Sequence, residues 1–305
     1  MKQPNVSGLP AHKLMRGLTG LVRSMRPRQW LKNVFIFAPL VFDEKLFQPA
    51  PLGRTAAGFL ILCLLSGAVY LFNDLQDFER DRQHPRKRHR PLPSGELDPR
   101  IAWGATALIP AALAYPALAL DPWFTLIAYT YWGLNLAYSL WLKHQVILDV
   151  LALASGYVLR VAAGVPLVYV ERFSPWLYLC TLLLALFIGF AKRRQEIVLL
   201  GDNARNHRAI LEEYTVRFLD EMMGVVMAAI IVAYSLYTFS APNLPSNHAM
   251  MLTIPFVVYG VFRYLYLLHV RGETLPPDEL VLKDRSLQLT VILWMLAAIL
   301  ILYLK

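Results

Sequence analysis

Apolar residues in this chain come in long blocks, and the charged residues gather in short segments between them. Nine blocks read as helices: 30–42, 55–73, 101–120, 123–141, 147–168, 175–191, 218–239, 250–269 and 287–304. A bilayer-spanning helix takes about 20 mainly apolar residues, and most of the blocks approach that length. The first is the shortest and contains Pro39, a residue that interrupts a helical hydrogen-bond ladder. The pattern predicts an all-α, polytopic membrane protein with about nine transmembrane helices. A leader over 1–25 precedes a single membrane domain over 26–305.

Composition agrees. Of 305 residues, 57% are hydrophobic and 17% charged, where a soluble domain carries about a quarter charged residues. That excludes an ordinary soluble fold. The formal charge of +9 is a property of one face. Every Lys and Arg except Lys45, Arg54, Arg172, Lys305 and Arg160 falls in the leader through Lys32, in 76–100, at Lys143, in 192–217 or in 263–285. Alternating spans put those segments on a single side. Basic segments stay in the cytoplasm, so the N-terminus is expected inside and the C-terminus outside, in the cell (inner) membrane. The basic face also attracts anionic membrane lipids. No basic stripe carries a groove-reading motif, so nucleic acid is not expected as a partner. Lys2, Lys13, Arg16 and Arg23 are scattered ahead of any apolar core, which reads as a surface leader and not a cleavable signal. Cys63 and Cys180 lie inside apolar blocks and read as small hydrophobes, not as zinc ligands or a disulfide.

The segment after the second block runs Asn73-Asp74-Leu75-Gln76-Asp77-Phe78-Glu79-Arg80-Asp81. Asn73, Asp77 and Asp81 recur every fourth position, which places them on one helix face. Like charges so spaced repel each other, and at a membrane edge they need neutralisation. A divalent cation such as Mg²⁺ would supply it through hard oxygen ligands. The competing reading is a solvated helix end whose acids pair with Arg80, Arg82 and Arg86. The continuation Lys87-Arg88-His89-Arg90-Pro91-Leu92-Pro93-Ser94-Gly95 adds bases for phosphate oxygens. Acids for a metal followed directly by bases make a diphosphate site.

Arg160 falls near the middle of the 147–168 span, where a charge is a functional candidate that needs a partner. Asp149 is eleven residues earlier on the same helix face, too far along the axis for direct pairing. Each therefore requires its own partner, and a structural charge network competes with a substrate for that role. Tyr and Trp read mostly as interface belts, and Gly156 and Gly164 as close helix contacts. His84, His89, His144 and His207 read as surface or phosphate contacts, and Glu212-Glu213 as a solvated face. Asp284-Arg285 reads as an anchor pair or a support for the site.

The stretch 73–95 resembles the first signature of the UbiA-type prenyltransferase superfamily, N-D-x-x-D-x-x-x-D followed by R-P. The resemblance implies nine helices around a cytoplasm-facing cavity, with this motif binding a diphosphate through Mg²⁺. The superfamily's second Asp-rich motif is replaced here by Lys192-Arg193-Arg194-Gln195-Glu196. Further stretches resemble one branch, the decaprenyl-phosphate phosphoribosyltransferases: 26–33, 81–87, 138–144 with Asp149, Ser155-Gly156 with Arg160, Lys192-Arg193, Tyr214-Thr215, Arg263-Tyr264 and Asp284-Arg285. That branch implies phosphoribosyl diphosphate as donor, a polyprenyl phosphate lipid as acceptor and a cell-envelope precursor as product. On this reading Asn73, Asp77 and Asp81 hold Mg²⁺ and Asp74 supports them, with Asp77, Asp81 and Lys192 catalytic. Lys87, Arg90, Lys143, Lys192 and Arg193 meet phosphates, with Lys32, Asp149 and Arg160 as further substrate contacts. Prenyl transfer to an aromatic or other acceptor, and transport of a lipid or solute, are the alternatives. Nothing in the pattern fixes the oligomeric state.

Overall fold

Proline and capping residues mark where most of the helices begin. The computed structural model describes residues 10–84, 87–170, 175–200, 209–241 and 244–303. The chain starts with α1 (Pro10–Ser24), a 3₁₀ stretch (Pro27–Phe37) and α2 (Ala38–Phe42). It continues through α3 (Pro49–Gln76), α4 (Phe78–Gln83), α5 (Pro99–Leu120) and α6 (Pro122–Leu140). Then come α7 (Leu148–Val168), α8 (Pro175–Leu200), α9 (Val216–Ser240), α10 (Ile254–His269), α11 (Pro277–Lys283) and α12 (Arg285–Tyr303). Among the described residues there is no strand.

Asp98 accepts from the Arg100 N–H at 2.7 Å and caps α5. Asp121 accepts from Trp123 and Phe124 at 2.8 and 3.1 Å and caps α6. In both, Pro stands at the first helical position, where no N–H is needed. Thr215 caps α9 through the Phe218 N–H at 3.1 Å. Pro110 and Pro116 lie inside α5, and the Tyr129 hydroxyl of α6 donates to the Pro110 carbonyl. This bond ties α6 to the proline-containing stretch of α5.

Seven segments are long and apolar enough to cross a membrane: α3, α5, α7, α8 to Leu199, α9, Ala249–His269 and α12. The two other expected spans depart for different reasons. The 123–141 block forms the full-length helix α6, but Tyr131, Asn135, Tyr138 and Ser139 line an internal cavity and lower its apolar content. The 30–42 block is not a long α-helix. It is the 3₁₀ stretch running into the five-residue α2, and it packs through its backbone. A Cβ at Gly164 of α7 would stand 2.1 Å from the Ile36 carbonyl oxygen, so only glycine permits this approach.

Helices α3 and α7 are the most enclosed of the seven, and they pack against each other and the 3₁₀ stretch. Ile36, Leu62, Phe124 and Leu167 fill the core between them. A second core joins α7, α8, α9 and α10 through Val150, Phe187, Met223 and Leu267. The outer faces of α5 and α12 expose Leu108, Leu118, Leu289 and Leu300. The polar residues of α3 and α7 therefore sit inside the bundle.

At the end of the bundle away from the Asp77 segment, Lys45 pairs with Asp43 at 2.9 Å and Arg54 approaches Asp121 at 3.7 Å. Two of the four basic residues expected on that side thus lie there together, both meeting Tyr169. Arg172 and Lys305 lie outside the described residues, as do Lys2, Arg86 and His207. Cys63 and Cys180 are free thiols.

Candidate active site

The third helix ends at Gln76, and Asp77 joins it to the short α4. The helical hydrogen bonds run on across the break, from Asp77 N–H to Asn73 at 3.0 Å and from Asp81 N–H to Asp77 at 2.8 Å. Asn73, Asp77 and Asp81 are thereby held in register on a bent path, not on the single continuous helix their spacing suggests. Asn73 lines the cavity. Asp74 and Asp81 are almost fully buried. A single nitrogen of Arg90 donates to both, at 3.2 Å to Asp74 and 2.6 Å to Asp81. Arg26 also bonds Asp74, and Lys87 lies 3.8 Å from Asp81. Asp77 is different. Its carboxylate is one-third exposed and its nearest recorded base, Arg80, is 3.9 Å away.

Among the described residues no three Asp, Glu, His or Cys side chains converge as a metal-binding group. The expected set of two carboxylates and one amide still fits a hard cation by its chemistry: all donors are oxygen, and Asp77 is lightly engaged. Asp81 meets that role only by loosening its contacts with Arg90 and Lys87.

A cavity of about 280 Å³ opens beside this rim. Its wall carries Lys32 from the 3₁₀ stretch and Lys192 and Arg193 from α8. Arg193 is buried, and its Nε donates to Asp149 at 2.7 Å while another nitrogen meets Glu196 at 3.0 Å. Asp149 is fully buried and takes its other bond from the Tyr214 hydroxyl at 2.7 Å. Burial first, and then this bond to Asp149, raises the Tyr214 pKa above the ordinary phenol value, so it remains a donor. The same hydroxyl accepts the Ile147 N–H at 2.7 Å. Ile147 has φ 67°, a region that β-branched residues avoid, and this bond helps to hold it there.

The floor of the cavity lies around Arg160. Its Nε donates to Asn33 at 2.9 Å and its NH2 to the Tyr131 hydroxyl at 2.8 Å. The rings of Tyr131 and Tyr157 face the guanidinium at 4.7 and 4.9 Å. Ser66 bonds the Tyr131 hydroxyl at 3.0 Å. Asp149, on the same face of α7, serves Arg193 instead. The two buried charges of α7 therefore do have separate partners.

The structure brings Lys32, Asn73, Arg160, Lys192 and Arg193 to one cavity, with Asp74, Asp77, Asp81, Lys87 and Arg90 joined to its rim through Asn73 and α4. Lys143 is half-buried on the 3₁₀ turn after α6 and is not part of the lining. Asp149 is not in the lining either. Glu212 and Glu213 face outward. Asp284 pairs with Arg263 at 2.8 Å, not with Arg285, and clamps α10 to the start of α12. Tyr70, Tyr131, Tyr138 and Tyr157 line the cavity, which corrects the reading of these tyrosines as interface belts. Gly156 is likewise no packing glycine: a Cβ there would meet only Arg160 and Tyr131, at 3.7 and 3.8 Å. Asn33, Ser66 and Arg26 were not singled out from the sequence as site residues. Arg26 and Asn33 fell within the 26–33 stretch of the family resemblance, and Ser66 left one signal, a polar side chain in an otherwise apolar block.

A family model described as the UbiA prenyltransferase family matches residues 46–280. The decaprenyl-phosphate phosphoribosyltransferase of Corynebacterium glutamicum is 31% identical over 289 residues, covering 93% of this chain and 87% of that protein. The protein of the same description from Mycolicibacterium smegmatis is 32% identical over 303 residues, covering 91% and 90%. Among solved structures, a UbiA homolog from Archaeoglobus fulgidus bound to DMAPP and Mg²⁺ superposes with a TM-score of 0.70, over 93% of this chain and 99% of that one. At 17% identity that likeness speaks to the fold.

Proposed function

This chain belongs to the UbiA prenyltransferase family and is a multi-pass membrane protein, and from that premise we propose that it transfers a 5-phosphoribosyl group from phosphoribosyl diphosphate to a polyprenyl phosphate of the decaprenyl type. The product would be a precursor for cell-envelope polysaccharide. The observation that carries the reading is the cavity wall. Where prenyl transfer calls for a second acidic cluster, α8 presents Lys192 and Arg193 to the cavity. A basic wall suits phosphate held directly. The names of the relatives in Corynebacterium and Mycolicibacterium support the same transferred group and acceptor.

In the reaction an acceptor phosphate oxygen bonds to the anomeric carbon of the ribose, and the bond from that carbon to diphosphate breaks. The electron pair leaves with the diphosphate. The acceptor is already an anion, so no base has to remove a proton. Asn73, Asp77 and Asp81 would hold Mg²⁺, which neutralises the departing diphosphate. The Mg²⁺ bound to the Archaeoglobus fulgidus homolog supports a divalent ion at the family's site. Arg90 moves between its carboxylates and the incoming phosphates, while Asp74 retains Arg26. Lys87, Lys192 and Arg193 meet donor or acceptor phosphates, with Lys32 as a further contact from the cavity wall. Asp149 acts through Arg193 and has no free oxygen for substrate. The basic rim faces the cytoplasm of the inner membrane, with the N-terminus on that side. The 3₁₀ stretch with α2, together with α6, completes nine membrane-inserted segments.

The test offers purified protein Mg²⁺ and polyprenyl phosphate with phosphoribosyl diphosphate, and in parallel prenyl diphosphate with a phenolic acid. Ribosylated lipid and released diphosphate in the first mixture alone are the expected result. Asp77→Ala should lower that turnover by about two to three orders of magnitude. Prenylation of the phenolic acid would overturn the reading in favour of prenyl transfer.

A further inference from the structure

The floor of the cavity holds a cation without an anion. Arg160 is 7% exposed and lies in the middle of α7. Among the described residues no carboxylate lies within ion-pairing distance of it. The buried acids of α7 and α3 are committed elsewhere: Asp149 to Arg193, and Asp74 to Arg26 and Arg90. What surrounds Arg160 is neutral: the Asn33 amide, the Tyr131 hydroxyl and the faces of two tyrosine rings. Placing such a charge at the centre of a membrane helix costs about 3 kcal/mol on insertion scales. Dipoles and ring faces offset part of it. They also fix the guanidinium plane, because Nε and NH2 are both tied. NH1 bonds no acceptor among the described residues, and it points to the side where Gly156 leaves room.

The position of this floor is as informative as its charge. Ser66, which bonds Tyr131, and Asn73, which belongs to the acidic motif, are seven residues apart on α3. At 1.5 Å per residue the floor lies about 10 Å along the helix from the rim. A ligand filling the cavity thus meets a cation-binding acidic rim at one end and a fixed guanidinium at the other. An isoprenoid tail pointed at the floor would cover Arg160 with hydrocarbon and leave its charge uncompensated. A small polar molecule with a negative group at each end matches both.

We propose that Arg160, oriented by Asn33, Tyr131 and Tyr157, forms a phosphomonoester subsite that receives the 5-phosphate of the sugar donor, remote from the reacting carbon. The assignment rests on the phosphoribosyl-transfer reading above and deepens it. Arg160 is then what makes the enzyme choose a phosphorylated pentose over an unphosphorylated one. The lipid acceptor's phosphate has the same chemistry and is the rival source of the anion.

The experiment compares wild type, Arg160→Gln and Arg160→Lys with two donors, ribosyl 1-diphosphate with and without its 5-phosphate. Wild type should prefer the phosphorylated donor on the order of 100-fold in kcat/KM, as sites that bind a buried charged group do. In Arg160→Gln the two donors should converge, because kcat/KM falls much further for the phosphorylated donor than for the unphosphorylated one. Arg160→Lys should restore part of the preference. An equal fall on both donors would overturn the assignment, as would a preference left intact. A raised KM for polyprenyl phosphate with donor preference intact would give the subsite to the lipid and also overturn it. Should the variants not fold, wild type answers alone. Ribose 5-phosphate and Mg²⁺-diphosphate should bind together, with ribose itself binding far more weakly, whereas mutual exclusion would overturn the two-ended site. No turnover of either donor by folded wild type would sink the phosphoribosyl-transfer reading itself, and the binding arm would still decide whether the floor takes a phosphomonoester.

Discussion

Arg193 and Arg160 are both nearly buried, both line the same cavity, and are held in opposite ways. Arg193 is surrounded by carboxylates, with Asp149 and Glu196 in direct contact. Arg160 has only neutral partners. A buried ion pair is already neutralised, so Asp149 and Tyr214 hold Arg193 fixed in the wall, and it gains less from a phosphate it meets. A buried guanidinium with dipoles alone is oriented but not neutralised, and it gains most from an arriving anion. Burial of charge by itself does not separate structure from function. The sign of the surrounding charges does.

The strongest way to break this contrast is to make Arg193 resemble Arg160. Asp149→Ala removes its nearer and more buried counter-charge and also leaves the Tyr214 hydroxyl without its acceptor. Breaking one partner of a buried pair costs about 3–5 kcal/mol, so a large fall in the thermal unfolding midpoint in detergent is expected. An unchanged midpoint would show that Glu196 and the Tyr138 hydroxyl, which accepts from Arg193 at 3.4 Å, suffice for Arg193. Next in size is Tyr131→Phe, which takes from Arg160 one of its two side-chain acceptors while keeping the ring. Donor KM should rise about ten-fold, in keeping with a hydrogen bond to a charged group, with kcat and unfolding midpoint little changed. If kcat falls instead, Tyr131 acts on the reacting centre and not through the floor.

The smallest effect is expected far from the cavity, at the pair of Arg263 and Asp284. The hydrogen bond from Arg263 holds the Asp284 pKa below the usual carboxylate range. A depressed folded-state pKa means the stabilisation is full above the ordinary aspartate value and is lost as pH falls through the folded one. Asp284→Asn should therefore leave activity unchanged and shift the unfolding midpoint slightly at neutral pH. That shift should vanish in strong acid. A shift as large as that of Asp149→Ala would mean that solvent exposure does not weaken this pair.

Much of the rim could be read in the chain before any fold was known, because its parts are contiguous. Asn73, Asp77 and Asp81 are linked by helical hydrogen bonds, and Lys87 and Arg90 follow within a few residues. Local spacing is enough to bring such groups together. The floor was not legible in the same way. Arg160 stood out as a charge in an apolar block, but Asn33, Ser66 and Tyr131 reach it from three other elements. Tyrosine is ambiguous in a membrane sequence, since it suits both a bilayer interface and a polar cavity. Only packing against α7 decides between them.

The sequence by itself determined that the chain is a helical membrane protein with an acid-then-base motif at one end of its third helix. Hydrophobic block length and local charge order carry that information directly. The tertiary structure decided which buried charge is neutralised and which is not. That depends on residues from distant blocks meeting in one low-dielectric space, where a carboxylate a few ångströms nearer changes the role of an arginine.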